Sequence, residues 1–327
     1  MNLIAVIIII LATGVGFLAV FLVKTIILPR RAAAAETYLN KNKNLQAIKA
    51  GKAAVEKDPK DTEAHYYLGK ALLAENRIEQ ALREFKSVSR LGIEGKNIPE
   101  TEFRQTIAKL YLQCNESEEA LKEYLLLIKL NPENPEYFYW TGKIFSDRNR
   151  TDLAEQYLGK AVSLDPREGR YHFALGAALY QNKKSREAVT ALENALKTDL
   201  SNGQIHYYLG KIHKDSKDYA GAVPSFEKAA RDQEYRIRAL VELGSCYMSL
   251  KMVDKAIPEL ERAVNAVKDE AEPDSLYARY FLAMCFEKKQ EYPRAIAQWD
   301  KIYAQKKNFR DVGEKLTQYQ QYRQAAD

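Results

Sequence analysis

Apolar positions along this chain follow two regimes. From Leu3 to Val23 they run for 21 residues with Thr13 the one polar interruption and no charge. Beyond residue 32 they recur three or four apart, separated by charged positions, which is the spacing of amphipathic helices. The first regime predicts a membrane-spanning helix. At about 1.5 Å per residue it reaches roughly 31 Å, the thickness of a hydrocarbon core. A cleaved leader would carry basic residues ahead of a shorter apolar stretch. Here only Met1 and Asn2 precede the run, and Lys24, Arg30, Arg31, Lys41 and Lys43 follow it. Those flanking charges predict a single-pass protein with its body on the cytoplasmic side, the periplasmic side being the alternative.

The second regime repeats. Ala47, Ala81, Ala120, Ala154, Ala188, Ala222, Ala256 and Ala295 each open an apolar-periodic stretch, at spacings of 34, 39, 34, 34, 34, 34 and 39. Twelve residues before the last seven stands another small residue: Gly69, Ala108, Gly142, Gly176, Gly210, Gly244 and Ala283. Four residues after each of those alanines stands a bulky one: Phe85, Tyr124, Leu158, Leu192, Phe226, Leu260 and Trp299. Such a pattern predicts helix pairs whose backbones meet at the small residues, with the bulky side chain plugging the gap. Pro59, Pro132 and Pro166 are placed to stop second helices, since proline cannot continue one.

In this register the chain resembles the tetratricopeptide repeat (TPR) family, of the membrane-anchored bacterial type. The resemblance implies an all-α superhelical solenoid over residues 32–303. It comprises a degenerate first repeat at 33–61, where Gly51 replaces the plug, and seven full repeats. These start near Thr62, Thr101, Pro135, Gly169, Gly203, Ile237 and Leu276. Two five-residue insertions fall in 92–100 and 269–273, and a capping helix is expected over 304–327. Residues 1–31 are left as anchor and basic flank.

The family places first helices along a concave face, with their fifth residue turned into it. Here those residues include Tyr66, Tyr139, Phe173, Tyr207 and Tyr280, with Gln105 and Val241 between them. One helical turn on come Lys70, Lys109, Lys143 and Lys211. An aromatic supplies rigid contact area and a lysine supplies charge, which suits an acidic, apolar peptide or helix. The competing reading is packing: the aromatic wedges between neighbouring first helices and the lysine lies over it. The Lys–Asn–Arg clamp by which some members hold a terminal carboxylate lacks its asparagines here.

Composition narrows the chemistry. The chain has 327 residues, 46% apolar and 29% charged, which excludes a disordered class. Its net charge is +6, and Lys24, Arg30 and Arg31 supply half of it. A surplus of three over residues 32–327 is too thin for a nucleic-acid binder, and it argues against docking of the array on a membrane surface. Three cysteines without a C-x-x-C exclude a disulfide framework and a cysteine-rich zinc site. His65, His172 and His206 share the fourth position of first helices, a packing position. Cys246 and Cys285 occupy equivalent positions suited to small buried side chains, and Cys114 ends a first helix. No phosphate loop, dinucleotide fingerprint or nucleophile elbow is present. The expectation is therefore no catalytic residue, no metal and no cofactor. The expected function is a non-catalytic scaffold or adaptor that gathers partner proteins at a membrane in envelope assembly. A self-associating structural component, or a regulatory subunit of a membrane enzyme, is the alternative.

Overall fold

The computed structural model describes residues 32–199, 201–267, 269 and 271–322. The apolar run Leu3–Val23 lies outside the described residues. Among those described, no helix is long and apolar enough to cross a membrane.

All regular structure among the described residues is helical, and it forms two compact units, one ending at Glu133 and the other starting at Asn134. The first unit holds α1 (Ala33–Asn40), α2 (Asn44–Lys57), α3 (Thr62–Ala74), α4 (Ile78–Leu91), α5 (Glu100–Gln113) and α6 (Ser117–Leu130). The second holds α7 (Pro135–Asp147), α8 (Thr151–Leu164), α9 (Gly169–Gln181), α10 (Ser185–Leu196), α11 (Gly203–Asp215) and α12 (Tyr219–Ala229). It continues with α13 (Arg236–Ser249), α14 (Val253–Ala266), α15 (Pro273–Lys288), α16 (Tyr292–Gln305), α17 (Val312–Gln318) and a 3₁₀ turn, Gln320–Tyr322.

Local chemistry sets the helix limits. Several first helices start under a side-chain cap. Asp61 accepts from the Ala64 amide, Asn134 from Glu136 and Asn202 from Ile205, each at 3.0 Å. Pro135 and Pro273 stand at first-turn positions, where a missing amide hydrogen costs nothing. α2, α6 and α8 end two residues before Pro59, Pro132 and Pro166. Between the two helices of each pair the chain turns through one residue of positive φ. These are Asn42, Asn76, Asn115, Asn149, Lys183, Lys217, Lys251 and Gln290, with φ between 54° and 62°. That residue and the next close the preceding helix: Asn76 and Arg77 donate to Leu73 and Leu72, each at 2.9 Å.

The core is built from the small-and-bulky pairs. All seven plug residues are buried. A methyl group added at Gly142, Gly176, Gly210 or Gly244 would come within 2.5–2.7 Å of Leu158, Leu192, Phe226 or Leu260 of the partner helix. The plug thus fills the space the glycine vacates inside its own helix pair. At Gly51 the same close approach is made by Leu68, whose Cβ would lie 3.0 Å away. The C-terminal end departs from a continuous capping helix. α16 runs to Gln305, residues 306–311 form a loop, and helix resumes over Val312–Gln318. The break lets Phe309 and Val312 turn inward and become buried on α15 and α16.

Candidate functional site

The fifth and ninth positions of the first helices do meet as aromatic–lysine pairs, but their surroundings differ. In the first unit Tyr66 is only 2% exposed. Its ring lies edge-on to Phe85 and Phe103, at 6.1 and 6.4 Å. Lys70 sits 5.4 Å over that ring and donates to Glu102 Oε1 at 2.8 Å, so its charge is already matched. Burial foremost, then the Glu102 charge, pushes the Tyr66 phenol far above its ordinary range. Lys109, on α5, is exposed with no partner among the described residues.

In the second unit Tyr139, Phe173 and Tyr207 are half-buried and keep part of their faces in solvent. Tyr139 lies 5.2 Å from both Trp140 and Tyr171. Arg170 stacks over Tyr139 and Tyr171, at 5.2 and 4.9 Å, while Lys143 reaches over Trp140 at 5.6 Å. One carboxylate organises this cluster. Glu136, in the first turn of α7, accepts from Trp140 Nε1 at 2.6 Å, from the Tyr171 hydroxyl at 3.1 Å and from both terminal nitrogens of Arg170. Lys143 has no carboxylate partner among the described residues, and its contacts are aromatic faces. Phe173 meets Tyr208 edge-on at 5.6 Å, and Tyr207 packs on Phe226 and Tyr235. Burial pushes the Tyr207 phenol up to about 12. Lys211 donates to Glu242 at 3.2 Å, and Lys214 donates to the same carboxylate. Tyr280 is 6% exposed. Its hydroxyl donates to Asp311 at 2.8 Å and Arg310 stacks over it at 4.9 Å, so the C-terminal loop covers it.

Of the nine positions the sequence marks, the structure therefore leaves Tyr139, Lys143, Phe173 and Tyr207 as a partly open aromatic and cationic surface, with Lys109 open in the first unit. Tyr66 and Tyr280 are packed, and Lys70 and Lys211 are bridged to glutamates. Trp140 and Arg170 extend the open surface, while Tyr171, 2% exposed, is packed against Tyr139. The sequence signal for them was Glu136 four residues before Trp140 and one repeat before Arg170.

Sequence profiles described as tetratricopeptide repeat match residues 32–91 and 214–280, and residues 142–185, 173–237 and 253–310. A further profile, described as TPR repeat, matches residues 108–147. The chain belongs to the tetratricopeptide repeat family. Among solved structures, YrrB, a TPR protein with an unusual peptide-binding site, is 20% identical with a TM-score of 0.50, over 58% of this chain and 96% of its own. The Cut9–Hcn1 hetero-tetramer of the APC/C is 17% identical with a TM-score of 0.53, over 87% of this chain and 54% of that one. At these identities the likeness is one of fold. A comparison with curated proteins returns no match.

His65, His172, Cys246 and Cys285 of this TPR chain serve packing. His65 and His172 reach the carbonyls of Pro59 and Pro166 through Nε2, at 3.1 and 2.9 Å, pinning the start of their own repeat to the end of the preceding one. His65 also contacts Glu84 through Nδ1 at 2.6 Å. Cys246 and Cys285 are fully buried and unpaired. Burial pushes their thiols up to about 11 and about 12, which keeps them protonated and unreactive near neutrality. No cluster of three metal-ligating side chains occurs among the described residues.

Proposed function

We propose that this TPR chain is a non-catalytic scaffold, tethered to the cell inner membrane through residues 3–23, that captures peptide or helical segments of partner proteins during envelope assembly. The observation that carries this reading is the half-open stripe Tyr139–Trp140–Lys143–Arg170–Phe173–Tyr207, where aromatic faces and a lysine without a carboxylate partner stand on successive first helices. Rigid aromatic faces give contact area at little entropic cost, and the unmatched lysine selects acidic ligands. YrrB, with its peptide-binding site, shares the fold. Tethering raises the local concentration of whatever is captured and makes later contacts nearly intramolecular. The basic flank Lys24–Lys43 supports placing the repeats in the cytoplasm.

Two experiments decide it. Acidic–apolar peptides selected by display should bind the full chain and weaken about tenfold or more on Tyr139→Ala with Lys143→Ala, as expected for an anchoring pair. Concentration-dependent self-association untouched by those changes would instead make the chain a structural component of a membrane assembly. Protease added to spheroplasts and to inverted vesicles then fixes the side. Cleavage of the body in inverted vesicles alone is expected, and cleavage in spheroplasts would move the scaffold to the periplasm.

A further inference from the structure

We infer that the N-terminal hairpin α1–α2 lies flat on the bilayer, held by anionic phospholipid headgroups. This rests on the tethering reading above.

The first ground is where the charge sits. Residues 24–60 contain nine lysines and arginines against Glu36, Glu56 and Asp58. That surplus of six equals the net charge of the whole chain, +6, so residues 61–327 are balanced. The thin surplus beyond residue 32, which averaged over the array argued against surface docking, is concentrated in its first helix pair.

The second ground is geometry. Lys41 and Lys43 flank the positive-φ turn at Asn42, and Leu45, Lys49 and Lys52 follow at i, i+4 and i+7 on the solvent face of α2. The opposite face, Ala47, Ile48, Gly51 and Ala54, is buried. Lys41, Lys43, Lys49 and Lys52 form no ion pair among the described residues. Elsewhere in the same unit Lys70 and Lys86 are bridged to Glu102 and Glu116. Within this basic face Leu45 is 64% exposed, the highest value among the large apolar side chains described, and Tyr38 beside the turn is 36% exposed. An exposed leucine and tyrosine with exposed lysines close by in the same hairpin match a headgroup layer, where apolar tips enter and ammonium groups meet phosphates.

The third ground is reach. Nine residue steps join Val23 to Ala32, so the hairpin stands within roughly 30 Å of the end of the apolar run even if that stretch is fully extended. A polybasic segment so close to an anionic surface is drawn onto it, and salt weakens the attraction.

The test uses the full chain in nanodiscs of phosphatidylcholine alone or of phosphatidylcholine with phosphatidylglycerol. Lysines are acetylated and read by mass spectrometry. Lys41, Lys43, Lys49 and Lys52 should label about threefold or more slowly in the anionic discs, the protection disappearing in high salt. Lys109 and Lys251 serve as internal references and should not change. Leu45→Asp, at an exposed position, should reduce the protection without altering helix content. Equal labelling in both kinds of disc overturns surface docking and leaves the tether standing. Equal protection in both kinds means another protein surface covers the hairpin, which also overturns it. Failure of the chain to enter either disc overturns the tether and the docking together.

Discussion

At the scale of single residues, the structure separates glycines that the packing needs from those it does not. A helical Gly→Ala substitution gains about 1 kcal/mol of intrinsic propensity. Forcing a methyl into a filled core costs about 1–3 kcal/mol. At Gly244 the new carbon would stand 2.5 Å from Leu260 Cγ and 2.6 Å from its Cδ2. Gly244→Ala should therefore lower stability by up to about 2 kcal/mol, the overpacking penalty less the propensity gain. Gly69→Ala meets Phe85 ring carbons at 3.1–3.2 Å and should be close to neutral. Gly159, with nothing within 4 Å, should gain about 0.5–1 kcal/mol as alanine. Urea midpoints of the three variants give the ranking, and a Gly244→Ala protein as stable as Gly159→Ala would sink the packing account. The cysteines obey the same burial logic. Iodoacetamide at mildly alkaline pH should modify Cys114, which is partly exposed, and spare Cys246 and Cys285, whose thiols burial holds at about 11 and about 12. Mass spectrometry of the native protein checks this, and labelling of all three at one rate would contradict it.

At the scale of helices and turns, every described helix pair closes on one residue in the left-handed region, and the chain fills that position unevenly. Asparagine holds it at 42, 76, 115 and 149, and lysine at 183, 217 and 251. Asparagine enters this region readily, whereas lysine has a Cβ that clashes there and no short polar group to compensate. Lys183→Gly, Lys217→Gly and Lys251→Gly should each stabilise by about 0.5–1 kcal/mol, while Asn149→Gly should change little. Thermal midpoints that fall on all three lysine replacements would show that the lysine side chains carry compensating contacts. This turn also marks a limit of sequence reading. The repeat period and the small-and-bulky pairs were legible because each is a side-chain size constraint, repeated seven times in one register. The left-handed turn was not, because a backbone angle leaves no trace when lysine occupies it. Tyr66 and Tyr280 show a second limit. The fifth position of a first helix is covered by whatever follows it in the stack, so identical tyrosines are buried at 66 and 280 and half-open at 139 and 207. The C-terminal cap shows a third limit: its residues Val312, Leu316 and Tyr319 do pack on the last repeat, but the break before them left no sequence signal. They carry helical spacing, but the burial of Phe309 requires a turn ahead of them.

At the scale of the molecule, much of the charge on the first helices joins one repeat to the next, and this decides what remains for a partner. Lys70 bridges to Glu102, Arg170 to Glu136, Lys211 and Lys214 to Glu242, and Arg238 to Asp274. An acidic ligand must compete with these internal carboxylates, so the stripe offers far less free charge than its lysines suggest. Glu242 is the sharpest case, because one carboxylate that is 17% exposed holds two ammonium groups. Glu242→Gln keeps its shape and removes its charge, leaving Lys211 and Lys214 beside Tyr207 without a counter-ion. The substitution should destabilise the fold by about 1–3 kcal/mol, because two partly buried donors lose a charged acceptor. If acidic peptides dock along this stripe, their affinity should rise about three- to tenfold at low salt, and the gain should vanish at high salt as the freed charges are screened. Both effects come from one pair of lysines, so they should appear together. Urea titration reads the first and fluorescence anisotropy of a labelled acidic peptide reads the second. Lost stability with unchanged affinity would mean that the second unit's stripe joins repeats and does not receive ligands. Binding would then have to be sought around Lys109 in the first unit.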